Sequence, residues 1–134
     1  MNFTEQEYNE LSKQIIGAAI EVHKELGPGL LESVYETCLV SELQDKGLQV
    51  ERQVQVPVIY KGKELSKDYF IDILVEDELI IEIKSLENIL PVHEAQLLSY
   101  LRLADKKLGL LINFNVALLK DGVRRKVNGY LSSV

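Results

Sequence analysis

The chain has 134 residues, 46% of them hydrophobic and 27% charged, with a formal net charge of −6. That balance is the one of a soluble globular protein with enough length for a single core, which excludes a disordered chain. The acidity excludes an indiscriminate nucleic-acid coat, because such binding draws on many Lys and Arg contacts to phosphate. No apolar run approaches the ~18 residues of a membrane span, and the polar start MNFTEQEYNE is not a signal peptide. One cytoplasmic domain over residues 1–134, with no membrane partner, is expected.

Thr4 with Glu7 three residues on is a capping-box pattern, and Tyr8, Leu11, Ile15, Ala18, Val22 and Leu26 follow at helical spacing. The spacing predicts a first helix over residues 5–26, stopped by Gly27, Pro28 and Gly29. A second helical pattern runs through Leu31, Val34, Tyr35, Cys38, Leu39 and Leu43 and closes at Gly47. The lone cysteine, Cys38, reads as a small buried hydrophobe. After Gly47 the period changes to two through Val50, Val54, Val56 and Val58, a strand in which Pro57 asks for a sheet edge or a bulge. Lys61, Gly62 and Lys63 are a turn leading to an antiparallel neighbour.

Residues 69–84, YFIDILVEDELIIEIK, hold ionisable groups where core strands should have none. Two β-rich runs around Glu76, Asp77 and Glu78 read as a hairpin. Centred on Asp77, its positions place Asp72 opposite Glu82 on one face, with Lys84 two residues further along that face. Two carboxylates and an ammonium in apolar runs are costly unless they pair or hold a cation. Beyond a polar link, Pro91 opens a third helix, on which His93, Gln96 and Tyr100 share a stripe. Residues 108–114, LGLLINF, suit a buried strand reached by a crossover. The tail, with residues 116–119 apolar and then Asp121, Gly122 and the basic Arg124, Arg125 and Lys126, is expected to form a final hairpin with the basic side chains in a solvated turn.

Asp72, nine intervening residues and then Glu82-Ile83-Lys84 resemble the D…ExK signature of the PD-(D/E)XK nuclease superfamily. Gln96 and Tyr100 resemble the Q-x-x-x-Y motif of its RecB-like branch. The segment from Gly29 to Tyr35, GLLESVY, matches G-x-x-E-x-x-Y, and with VHKELGPGLLES and HEAQLLSYLR the chain is similar over nearly its full length to the GxxExxY family of small proteins in that superfamily. The resemblance implies an α/β fold: a restriction-endonuclease-like α-β-β-β-α-β core, a mixed central sheet flanked by helices, and an extra N-terminal helix. It also implies a Mg²⁺-dependent nuclease, with Mn²⁺ an alternative ion and DNA favoured over RNA as the nucleic-acid partner. A second subunit, giving a homodimer, would help so small a protein grip a duplex.

The chemistry fits those residue types. A hard cation with open positions needs oxygen ligands, which Asp72, Glu82 and the Ile83 carbonyl would supply, with Glu32 completing the shell directly or through water. Carboxylates that hold such an ion count toward the negative charge, so acidity does not exclude a nuclease. Lys84 would orient or deprotonate the attacking water, and Gln96 and Tyr100 would reach the substrate or hold Lys84. His93, Arg124 and Arg125 are candidate substrate contacts, against the plainer reading of a helix hydrogen-bonder and a solvated turn. Asp72, Glu82 and Lys84 could otherwise form an exposed charge cluster, and Glu32 could merely favour a helix N-terminus. The competing functions are a nucleic-acid-binding module that kept the fold without turnover, and a protein-interaction module.

Overall fold

The computed structural model describes residues 3–131, with Ser66, Lys67 and Asp68 described by their backbone alone. Helix α1 spans Glu5–Leu26 and begins with the expected box: the Glu7 N–H donates to Thr4 Oγ1 (3.1 Å), and the Thr4 N–H donates to Glu7 Oε1 (3.0 Å). It ends at Gly27, whose φ of 68° lies in the left-handed region open to glycine. Helix α2 spans Glu32–Asp45. The strands are β1 (Val50–Tyr60), β2 (Lys63–Val75), β3 (Leu79–Lys84), β4 (Leu108–Asn113) and β5 (Val123–Val127), with helix α3 (Pro91–Ala104) crossing from β3 to β4.

The strands form one five-stranded sheet in the order β1-β2-β3-β4-β5. Neighbours are antiparallel except for β3 and β4, which are parallel because α3 carries the chain back. One face is covered by α1 and α2, whose Leu11, Ile15, Ala18, Leu39 and Leu43 pack on Ile73, Ile81, Ile83, Leu110 and Ile112. The other is covered by α3, whose Leu97 and Leu101 pack on Ile71, Leu74, Ile80 and Leu111. The result is the mixed sheet between helices, with the extra N-terminal helix, that the resemblance implied. Both central strands are buried on both faces, which is why they read as continuous apolar runs.

The β2–β3 turn is tied down at each acidic residue. Glu76 and Asp77 have φ of 53° and 55°, the left-handed values of a tight hairpin turn. Glu76 exchanges hydrogen bonds with Gln49, Lys106 Nζ donates to the Asp77 carbonyl (2.8 Å), and the Tyr8 hydroxyl donates to Glu78 Oε2 (2.8 Å). Pro57 sits at a register break in β1, which is the sheet's edge strand, so both settings expected for it hold.

The tail differs from the expected hairpin. Residues 116–119 are not a strand: the His23 ring bonds the Val116 carbonyl (2.8 Å), Leu119 is buried, and a short 3₁₀ turn, Leu119–Gly122, follows. Gly122 lies directly against the Asn113 carbonyl, where a side chain would collide. The basic residues belong to β5 and pair with β4 (Leu111↔Arg124, Leu110↔Arg125) instead of forming a turn.

Candidate active site

The β2–β3 pairing Ile73↔Ile81, Leu74↔Ile80, Val75↔Leu79 has the register expected for a turn centred on Asp77. Beyond it the strand changes character. Ile71 and Ile73 should share a face by the two-residue period, yet Ile73 packs under α1 and α2 and Ile71 under α3. Strand β2 rolls over at Asp72. On the neighbouring strand Gln53, between the pairs Arg52↔Ile73 and Val54↔Ile71, has a φ of 49°. A left-handed glutamine costs about 1–2 kcal/mol, so the distortion on both strands at this level is held by its surroundings.

Those surroundings are carboxylates and their partners. The Ile83 N–H donates to Asp72 Oδ2 (2.8 Å), a side chain standing where a strand partner would be. Gln53 Nε2 donates to Glu36 Oε1 (2.8 Å) and, at 3.4 Å, reaches Asp72 Oδ1. Arg52 donates twice to Glu36 Oε2 (2.9 and 3.2 Å). Glu36 is thus a buried anchor that ties β1 to α2 beside the roll, and Gln53 links it to Asp72.

Glu82 is 6% exposed, its Oε1 has no hydrogen-bond partner, and the Asp72 backbone N–H bonds its carboxylate. Burial first, and then the Asp72 charge, push its carboxyl up to about 8, while Lys84 pulls it back in part and Glu32 adds to the rise. Burial also raises Asp72, opposed by the Ile83 N–H and reinforced by Glu36. Asp72, Glu82, Lys84 and Glu32 therefore lie within one electrostatic neighbourhood. Asp72, Glu32, Glu36, Gln53, Ile83 and Ser85 line a cavity of about 550 Å³ between the start of α2 and the sheet.

Glu32 owes its place to the loop before it. The Tyr35 hydroxyl donates to the Gly27 carbonyl (2.6 Å) and accepts from the Leu30 N–H (3.1 Å), its ring stacks on Phe114 with centroids 4.4 Å apart, and Gly29 has a φ of 97°. Glycine, glutamate and tyrosine in GLLESVY are thus a turn, a site-facing carboxylate and the pin that holds the turn.

On α3, Gln96 Nε2 donates to the Tyr100 hydroxyl (3.3 Å), and the Tyr100 ring meets Tyr69 edge-on at 5.9 Å. Burial raises the Tyr100 phenol and the charges of Glu82 and Asp72 raise it further, so Tyr100 borders the site. Gln96 is exposed and joins it through Tyr100. His93 Nδ1 accepts the Leu90 N–H (2.9 Å), capping α3. Arg124 donates to the carbonyls of Asp121 and Val123, Arg125 to Asn9, and Lys126 pairs with Glu94 (2.9 Å). The structure brings none of these three to the carboxylates.

Glu36, Arg52 and Gln53 were not singled out from sequence. Glu36 follows Glu32 by one helical turn, a spacing that could have flagged it. A left-handed residue inside a strand leaves no comparable trace.

Among the described residues, no three Asp, Glu, His or Cys side chains form a ready metal cluster. The donors nevertheless suit a hard cation. Mg²⁺ is ordinarily held by one or two carboxylates and keeps several waters, and Asp72 with Glu82 are such a pair, one of them with a buried oxygen lacking a partner. Fold and site together define a nuclease-like α/β domain. The chain belongs to the PD-(D/E)XK nuclease superfamily, whose family model matches residues 9–126, from α1 to β5. Comparison with curated proteins and with solved structures gave no match. The superfamily implies a nucleic-acid substrate and generally uses divalent metal ions. Among the described residues, no helix is long and apolar enough to cross a membrane.

Proposed function

We propose that this protein is a Mg²⁺-dependent nuclease, able to use Mn²⁺, that hydrolyses phosphodiester bonds in DNA in preference to RNA. The observation that carries the proposal is the buried, partnerless Oε1 of Glu82 beside Asp72, a state whose charged form is costly unless a cation completes it. Asp72 and Glu82 would hold the ion with the Ile83 carbonyl, and Glu32 would complete the shell from α2. Bound there, the cation supplies polarisation of the phosphate and a lower pKa for the attacking water.

The protein's own groups do the positioning. The Ile83 N–H and the Gln53 amide fix the Asp72 carboxylate. Lys84 stands on the face of Glu82 and presents its amino group to the water and to the charge that develops. Tyr100, with Gln96 bonded to it, borders the site from α3, and the likeness of this pair to the RecB-like motif favours DNA. The test is a calorimetric titration of Mg²⁺ and Mn²⁺ into wild type, Asp72→Ala and Lys84→Ala. Wild type and Lys84→Ala should bind the ion and Asp72→Ala should not; a wild type that binds neither ion would defeat the proposal.

A further inference from the structure

A second cavity, of about 480 Å³, lies between the β1–β2 hairpin and α3. Its walls include Val58 and Tyr69 from the hairpin and Val92, His93, Gln96 and Leu103 from α3. Tyr69, Val92 and Leu103 are 43, 63 and 39% exposed, an amount of open apolar surface that α3 leaves uncovered. Tyr100 lines this groove too, its ring meets Tyr69 edge-on, and its phenol feels Glu82 and Asp72, so the groove reaches the border of the candidate active site at Tyr100. Tyr69 is three residues before Asp72 on the same strand.

The charge pattern limits what can occupy it. The basic side chains of β5 are engaged with Asn9, Glu94 and main-chain carbonyls, and Arg52 with Glu36. With a net charge of −6, the surface gives little general attraction to a phosphate backbone. An aromatic face is a different means of holding nucleic acid, because every base has a face that stacks and the interaction does not depend on net charge. The His93 ring and the Gln96 amide at the groove could hydrogen-bond a base edge.

We propose that this groove is a nucleobase subsite, in which one unpaired base stacks on Tyr69 while the adjoining phosphate lies at Asp72 and Glu82. This rests on the nuclease reading and narrows it: the substrate is single-stranded, or carries an unpaired or extruded nucleotide, since a base inside a duplex must first unstack to enter.

The experiment measures fluorescence anisotropy of a labelled single-stranded DNA oligonucleotide, and of the same strand with abasic sites in place of its bases. Ca²⁺ is present as a hard cation. Wild type should bind the intact strand about tenfold more tightly, a difference of ~1.4 kcal/mol. Tyr69→Ala should bind both strands at the abasic level, and Tyr69→Phe, which keeps the ring, should retain the preference. Equal binding of both strands by wild type, or a preference that survives in folded Tyr69→Ala, would overturn the subsite. With metal binding and cleavage intact, that result would leave the nuclease reading standing. Failure to bind either strand, together with a blank metal titration, would remove both. The wild-type comparison carries the test should Tyr69→Ala not fold.

Discussion

Glu82 is the buried carboxylate on which the proposed function rests. Its carboxyl, ordinarily near 4.5, is raised to about 8, so between those values the folded protein binds a proton that the unfolded chain does not. The metal-free protein therefore has this stability in full below about pH 4.5 and loses it as the pH rises through about 8, with Asp72 shifted in the same direction. Thermal melts from about pH 5 to about pH 9 in a chelator should show this decline, and Glu82→Gln should flatten it. A cation binds the ionised form, so added Mn²⁺ should raise the melting temperature most at the alkaline end. A wild-type profile as flat as that of the variant would contradict the assignment. Tyr35 makes a structural claim at the same scale. Tyr35→Phe removes a donor to Gly27 and an acceptor for Leu30, and chemical denaturation should show a loss of about 1–2 kcal/mol. Cleavage should weaken as Glu32 loosens; unchanged stability and activity would mean that the turn does not depend on its pin.

Strand β2 and helix α3 frame the site, and they were legible to different degrees. The register of β2 on β3 could be read because three acidic residues mark the turn and apolar residues flank it, leaving Asp77 as the centre. The three helices could be read because Thr4 with Glu7, Gly27 and Pro91 punctuate them. The roll of β2 at Asp72 could not, since the contacts around it, Gln53 with Glu36 and Asp72 with the Ile83 N–H, join elements far apart in sequence. Nor could the tail, where residues 116–119 have the composition of a strand but bond to His23 and the core instead. The seat of α3 rests on Gly109, where an added Cβ would lie 2.8 Å from Leu97 Cδ1, and Leu97 is fully buried. Gly109→Ala should cost about 1–3 kcal/mol by overpacking. It should also lower activity by lifting Tyr100, one turn beyond Leu97. Stability and cleavage measured on the same preparation check this, and a neutral substitution would show that α3 can shift freely.

Over the whole molecule, two cores flank one sheet, and the candidate site lies where the alternation of β2 between them slips by one residue at Asp72, with Ile71 and Leu74 under α3 and Ile73 and Val75 under α1 and α2. That slip explains how ionisable groups come to lie inside apolar strands: the strand roll that opens room for them is held by their own hydrogen bonds. It also separates the roles of Asp72 and Lys84. Loss of Asp72 should abolish ion binding, whereas loss of Lys84 removes an interaction made mainly in the transition state and should lower kcat with ion affinity nearly intact. The most direct measurement is Mg²⁺-dependent cleavage of single- and double-stranded DNA and RNA by wild type, Asp72→Ala and Lys84→Ala, purified identically. The account predicts cleavage by wild type, strongest on single-stranded DNA, and a loss of at least about a hundredfold in both variants. Equal residual cleavage by all three proteins, or none by wild type on any substrate, would contradict it.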